Sequence, residues 1–217
     1  MSRSKAAACL GACLVMALVL GGCLGPVPPV EQYLRVTADG AGCGGASPDA
    51  ANASAQPVAF VPLKALDNLD RPAVLVADGS VLTPSLRWYW EGSPQSVMTA
   101  VLTRMVNCQP GVAGVLEYRP RVAHQAVLTG SVTAFNVQRQ GTLRFVAGIR
   151  LDVWTRDSKT LVASREFAAQ ADMAGETAAA VAQAASEAAA AVASAACAWL
   201  SPTTGGALAR AFAESGR

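Results

Sequence analysis

The sequence predicts an α+β domain: an antiparallel sheet, made of a three-strand C-terminal meander plus N-terminal strands, with two helices packed on one face. Three observations predict it. Residues 142–156 alternate apolar and polar side chains, the period of a long strand with one wet face. Residues 93–107 open on Ser-Pro and then place Val97, Val101, Leu102 and Met105 at helical spacing. Residues 175–200 contain fourteen alanines in 26 positions, a composition with high intrinsic helix propensity.

The chain begins with a segment expected to be removed. Arg3 and Lys5 precede an uncharged run over residues 6–20, too short for a spanning helix but suited to a signal peptide. The run ends in Leu20-Gly21-Gly22-Cys23, which resembles a bacterial lipobox. That resemblance implies cleavage after residue 22 and an acyl or diacylglycerol lipid, palmitate among its chains, on Cys23. Leu24, rather than Asp, follows the cysteine, and in lipoproteins of this kind that implies the outer membrane.

Without Arg3 and Lys5 the mature part has 15 basic and 15 acidic residues. Near-neutral charge gives no footprint for nucleic acid and no basic membrane patch. The acyl chains would serve as the membrane anchor. Residues 23–30 are a proline-rich tether, and residues 31–200 are read as a single domain.

Within that domain, residues 31–37 read as a first strand. Residues 38–56, rich in Gly, Ala and Ser, read as a flexible loop. Residues 57–63 form a second strand, placed at an edge because Pro62 lacks an amide donor. Asp78-Gly79-Ser80, between apolar runs, signals a hairpin. Ser93-Pro94 opens the first helix, and an extended piece follows over residues 115–119. The meander then runs from about residue 128 to 170. Within it Leu143, Phe145, Ala147, Ile149, Leu151 and Val153 face the core, with Arg144, Arg150 and Trp154 on the other side. In the last helix Val181, Ala185, Ala188, Val192, Ala195 and Trp199 form a narrow apolar stripe. Residues 201–217 are a tail.

The chemistry expected of an enzyme is sparse. His124 is the one histidine and has no nucleophile elbow near it. The cysteines lack metal-ligand spacing, and Gly42-Cys43-Gly44-Gly45 lacks the lysine and the strand–helix context of a phosphate loop. No metal site, no cofactor beyond the lipid and no enzymatic activity are expected.

The two helices are expected to run parallel, which puts Cys108 and Cys197 at one end of the sheet and favours a Cys108–Cys197 disulfide. The alternative is Cys43–Cys108, with Cys197 buried as a small hydrophobe. Trp88 and Trp90 share one face of their strand. They either plug the core under the first helix or form an exposed indole pair for a partner or lipid. Arg144, Arg150 and Trp154 raise the same choice between a solvated face and a partner contact.

A family resemblance rests on several segments in order. After the lipobox come Tyr33-Leu34, Leu66-Asp67-Asn68-Leu69-Asp70-Arg71-Pro72, Val74-Leu75-Val76 before Asp78-Gly79, and Arg87-Trp88-Tyr89-Trp90-Glu91-Gly92-Ser93-Pro94. Together they resemble the ABC-type transport auxiliary lipoproteins, the paraquat-inducible protein C group. The loop at residues 38–56 is longer than the family pattern. The resemblance implies a non-catalytic outer-membrane lipoprotein facing the periplasm. Its implied partners are mammalian-cell-entry domain subunits of a lipid transport system joining the inner and outer membranes, with a homo-oligomer left open. A different class of function, an assembly lipoprotein docking to an outer-membrane β-barrel as in lipopolysaccharide assembly, is the alternative.

Overall fold

Alternating strands need a common scaffold, and here it is one strand of thirteen residues. The computed structural model describes residues 30–38 and 55–216. The expected signal peptide, Cys23, the tether up to residue 29, and most of the expected loop, Cys43 included, lie outside the described residues. In chain order the elements are β1 (Gln32–Leu34), β2 (Gln56–Phe60), β3 (Ala73–Asp78), β4 (Val81–Trp90), α1 (Pro94–Asn107), β5 (Val112–Glu117), β6 (Ala126–Gln138), β7 (Arg144–Thr155), β8 (Leu161–Asp172), α2 (Ala178–Leu200) and α3 (Ala207–Ser215).

β6, β7 and β8 form the expected antiparallel meander, paired from Ala126↔Thr155 to Gln138↔Arg144 and from Arg144↔Asp172 to Trp154↔Leu161. The period-two reading of β7 holds. Phe145, Ala147, Ile149, Leu151 and Val153 are buried, while Arg144, Arg150, Asp152 and Trp154 are exposed or half-buried on the other face.

The sheet as a whole departs from the antiparallel expectation. It is a mixed eight-stranded sheet in which β1–β4, β2–β5, β2–β6 and β3–β6 pair parallel and β3–β4, β6–β7 and β7–β8 antiparallel. Parallel neighbours need crossovers rather than hairpins. The segments 61–72 and 118–125 supply those returns between β2 and β3 and between β5 and β6, while α1 carries the chain from β4 across to β5. Alternation along a strand reports which face is buried and says nothing of the direction of its neighbour.

The far edge of β6 is occupied twice. β2 pairs with Ala126–Leu128 at its start, and β3 with residues 136–138 at its end. Between them Lys64 bridges Ser131. β2 is therefore flanked by β5 and β6, and the edge position inferred from Pro62 is wrong: Pro62 falls just beyond the strand's last residue. The β3–β4 hairpin forms as expected, with Gly79 at φ +60°, a conformation that side-chain-bearing residues rarely adopt.

The helices lie on the buried face of the meander. α1 starts at the expected Pro94, and the carbonyl of its cap residue Ser93 accepts from Val97 N at 3.0 Å. The Ser93 side chain caps no amide and meets Ser96 Oγ instead. α2 is capped by Thr177, whose hydroxyl accepts from Ala180 N at 3.2 Å. A bidentate pair from Arg139 to Glu176 (2.8 and 2.9 Å) ties its entrance to the β6–β7 turn.

The apolar stripe of α2 drifts from the expected one. Ala196 and Leu200 are buried, whereas Ala195 is exposed and Trp199 half-buried against Phe167. The expected tail contains a third helix, α3, with Ala207, Leu208 and Ala211 buried. Ser215 Oγ accepts from Arg156 N at 3.1 Å, so α3 is fastened to the end of β7.

Gly130 sits where the two halves of the β6 edge meet. A Cβ there would lie 2.2 Å from the Arg150 carbonyl oxygen, whereas one on Gly114 in β5 would meet nothing within 4 Å. Gly130→Ala is expected to lower stability by about 1–3 kcal/mol, as overpacking does, and Gly114→Ala by clearly less. Urea denaturation of the two variants compares them directly.

Candidate functional site

The candidate residues fall into three places. Trp88 and Trp90 share one face of β4, and both are buried. Trp90 packs edge-on against Phe135 (5.0 Å between centroids) and Phe145 (5.6 Å), which pack edge-on against each other at 4.9 Å. This aromatic knot joins β4 to β6 and β7. The exposed-indole reading of Trp88 and Trp90 is therefore overturned: the pair plugs the core, at the end of β4 that pairs with β1 and packs on Phe135 and Phe145. Edge-to-face pairs of this kind contribute roughly 0.5–1.5 kcal/mol beyond simple burial.

Arg144, Arg150 and Trp154 do share the open face of the meander, opposite the helices. Each has a partner on it. Arg144 Nη1 donates to Gln170 Oε1 at 2.6 Å. Arg150 Nε lies 3.4 Å from Asp152 Oδ1, and Asp152 also accepts from the Ser164 hydroxyl. Trp154 Nε1 donates to Thr129 Oγ1 at 3.0 Å. Cross-strand register sets Arg150 opposite Glu166 and Arg144 opposite Asp172. The face is thus a mixed-charge polar ladder crossing β6, β7 and β8, interrupted at Val146 and Gly148. Exposed ion pairs of this kind contribute about 0–1 kcal/mol each, so the ladder adds little to folding.

The third place is the end of the sheet where α1 and α2 both terminate. Met105, Cys108, Gln109, Ser194, Cys197 and Ser201 contribute to the lining of an open cavity of about 520 Å³ there. Cys108 and Cys197 do lie at one end, as the parallel-helix expectation required, but Cys197 is a free thiol and the Cys108–Cys197 disulfide is not formed. Cys108 is the disulfide-bonded one of the two, and Cys197 is not its partner.

The link between the two helix ends is instead a hydrogen bond, from Gln109 Nε2 to the Cys197 carbonyl at 2.6 Å. Burial pushes the Cys197 thiol up from its ordinary pKa, and the Gln109 side chain lowers it by less. His124 bridges two loops, with Nδ1 2.7 Å from Val122 O and Nε2 3.0 Å from Arg156 O. Among the described residues no three His, Cys, Asp or Glu side chains converge as a metal site would need.

One surface had no place in the sequence reading. Val81, Leu82 and Leu86 on β4, with Tyr33 on β1, are large apolar or aromatic side chains left in solvent. Pro84, in the middle of that strand, was the available signal, since proline within a strand marks an unpaired edge.

The sequence profile of the ABC-type transport auxiliary lipoprotein component matches residues 44–196. The chain belongs to this family. No curated protein matches it closely enough to count as a relative. Among solved structures, protein XCC0632 from Xanthomonas campestris is similar in fold (TM-score 0.65, 17% identity, 78% of this chain and 94% of that one). An uncharacterized protein is similar at TM-score 0.60 and 12% identity, covering 79% of this chain and 99% of that one. At these identities the likeness is one of fold. This auxiliary lipoprotein therefore shares its sheet-and-helix layout with both.

A raised thiol pKa leaves less thiolate at any given pH, so Cys197 in the folded protein is expected to alkylate slowly at pH 8 and faster above the usual thiol range. Peptide mapping without reduction, after alkylation under denaturing conditions, is expected to find Cys197 modified and Cys108 in a cross-linked peptide. A Cys108–Cys197 cross-link would contradict the structure.

Proposed function

We propose that this auxiliary lipoprotein is a non-catalytic, outer-membrane-anchored docking subunit of an ABC lipid transport system that links the inner and outer membranes. The family match over residues 44–196 carries the reading. The lipobox at Leu20-Gly21-Gly22-Cys23 and the Leu24 that follows support acylation at Cys23 and the outer-membrane address. Two or more acyl chains hold a protein stably on a bilayer, whereas one gives only marginal binding. The partners are mammalian-cell-entry domain subunits, and they meet the open face of β6–β8 around Arg144, Arg150 and Trp154.

The chemistry of that face suits reversible docking. Its charges are paired locally at little energetic gain, so a partner that offers its own carboxylates exchanges one set of weak pairs for another. The helix layer behind it packs against β7 and β8 and holds the strands that carry the ladder.

Two measurements test this reading. Intact-mass analysis of the membrane-extracted protein is expected to show a chain starting at Cys23 with added acyl mass, and Cys23→Ala is expected to leave the membrane fraction. Retrieval of the lipidated protein is expected to bring a mammalian-cell-entry subunit with it. Combined Arg144→Glu and Arg150→Glu is expected to weaken that association about tenfold, corresponding to roughly 1.4 kcal/mol. Unchanged recovery would remove the open face from the account, and no mammalian-cell-entry subunit at all would remove the partner.

A further inference from the structure

The β3–β4 hairpin ends level with β6: β3 pairs with residues 136–138, the last of β6, and a Cβ on Gly79 would lie 2.9 Å from Gln140 Nε2 in the β6–β7 turn. The β4 half of the hairpin carries large apolar side chains that are left uncovered. Val81 is 62% exposed, Leu82 42% and Leu86 75%, while Trp88 and Trp90 further along the same strand are buried. β1 covers β4 only at residues 88–90. The free stretch is poorly built for a strand partner. Pro84 has no amide to donate, and the amides of Arg87 and Trp88 are turned onto Ser85 Oγ at 3.2 and 3.0 Å.

The path of the chain says what could cover it. β1 is parallel to β4, with Gln32 opposite Trp88, and β4 runs from the hairpin turn toward Trp90. The chain therefore enters β1 from the side of the hairpin turn, which sets Glu31 beside Arg87. Cys23 lies eight residues before Glu31, a reach of at most about 28 Å. The stretch from Tyr89 back to Val81 runs beside only Ala73–Asp78, because β4 bulges between Pro84 and Tyr89, so it spans about 17 Å at strand rise. The lipid attachment point and the hairpin tip can thus reach the same plane. Below the tip Tyr33, 69% exposed, stacks with Tyr89 at 5.8 Å, and the Arg87 guanidinium lies over the Trp88 ring at 5.6 Å. Tyrosine and arginine suit the headgroup level beneath an apolar tip.

We propose that Val81, Leu82 and Leu86 at the β3–β4 hairpin enter the bilayer that holds the acyl chains of Cys23, giving the protein a second, orienting contact with the lipid surface. The inference rests on acylation at Cys23. The exposed Asp78 carboxylate at the turn stays among the headgroups. A single anchor point would leave the body free to rotate. A tether and an inserted tip together fix its tilt.

The test uses the full acylated protein carrying Cys197→Ala, with a nitrobenzoxadiazole dye on Leu86→Cys or, at the opposite end of β6, on Lys159→Cys in the β7–β8 turn. The undyed-site parent corrects for background labelling. Each protein is reconstituted into phosphatidylethanolamine and phosphatidylglycerol vesicles with or without nitroxide-labelled phospholipid, and co-flotation reports anchoring. The expected result is that the dye at position 86 loses roughly half of its emission or more to the nitroxide lipid while the dye at 159 is unaffected. Proteins that float but show equal, weak quenching at both positions would overturn the hairpin contact and leave the anchor standing. A dye at 86 that is shielded from water yet insensitive to nitroxide lipid would overturn it too, by placing protein, such as a second copy, on the tip. Failure to float would remove the acyl anchor and the inference with it.

Discussion

β6 has to serve two sets of strands on a single edge, and the rest of the domain follows from that. Thirteen residues of β strand span roughly 43 Å, long enough for β2 to pair at one end and β3 at the other. At the junction the Arg150 carbonyl passes so close that a Cβ at position 130 would sit 2.2 Å from its oxygen, and glycine relieves the clash. The opposite edge is given wholly to β7, and through it to β8. Because the two sets do not overlap along β6, β2–β5 ends up beneath the C-terminus of α1. β3–β4 takes the other end, its turn beside the β6–β7 turn. The aromatic knot of Trp90, Phe135 and Phe145 ties this second set to the meander.

Much of this was legible in the sequence where a residue's requirement is local. The start of α1, the glycine turn at Gly79 and the two faces of β7 depend on a proline at the first helical position, on a positive φ and on alternation. A reader of the chain can see all three. Parallel pairing is not local. The segments 61–72 and 118–125 have irregular compositions, and nothing in them states that they carry the chain across a neighbour rather than back along it. α3 was hidden for a different reason. It is nine residues long and marginal as an isolated helix. It exists through the burial of Leu208 and Ala211 on the sheet, which the sequence around it does not announce.

The site was legible in part for the same reasons. Alternation identified Arg144, Arg150 and Trp154 as companions on one face. It also put Trp88 and Trp90 together, but could not say that the last residues of β4 are covered while its first ones are not. Exposure changes sign along that strand because β1 reaches only three residues of it. The cysteines show the limit from another side. Helix direction correctly brought Cys108 and Cys197 to one end of the sheet, yet proximity of two helix termini is a weaker demand than disulfide geometry, which needs both Cβ atoms aimed at each other within about 4.5 Å. Gln109 bridges the gap that a disulfide would have closed.

α2 shows how a thin margin settles where a hydrophobic segment goes. By length and composition Ala178–Leu200 could cross a membrane. Its apolarity comes from alanine, which contributes little transfer energy per side chain but lets backbones approach closely. Against the sheet it buries Val181, Val192 and Leu200 among its alanines and keeps Gln183 and Glu187, hydrogen-bonded to each other at 3.0 Å, on the outer side. Ser186 turns the same outer flank to use, since its hydroxyl accepts from Thr37 N at 3.0 Å just after β1. In a bilayer those polar groups would lose water and gain nothing, whereas on the sheet each keeps a partner. The same helix that fills the core thus holds the segment following β1, and β1 in turn decides which part of β4 is covered and which is left bare.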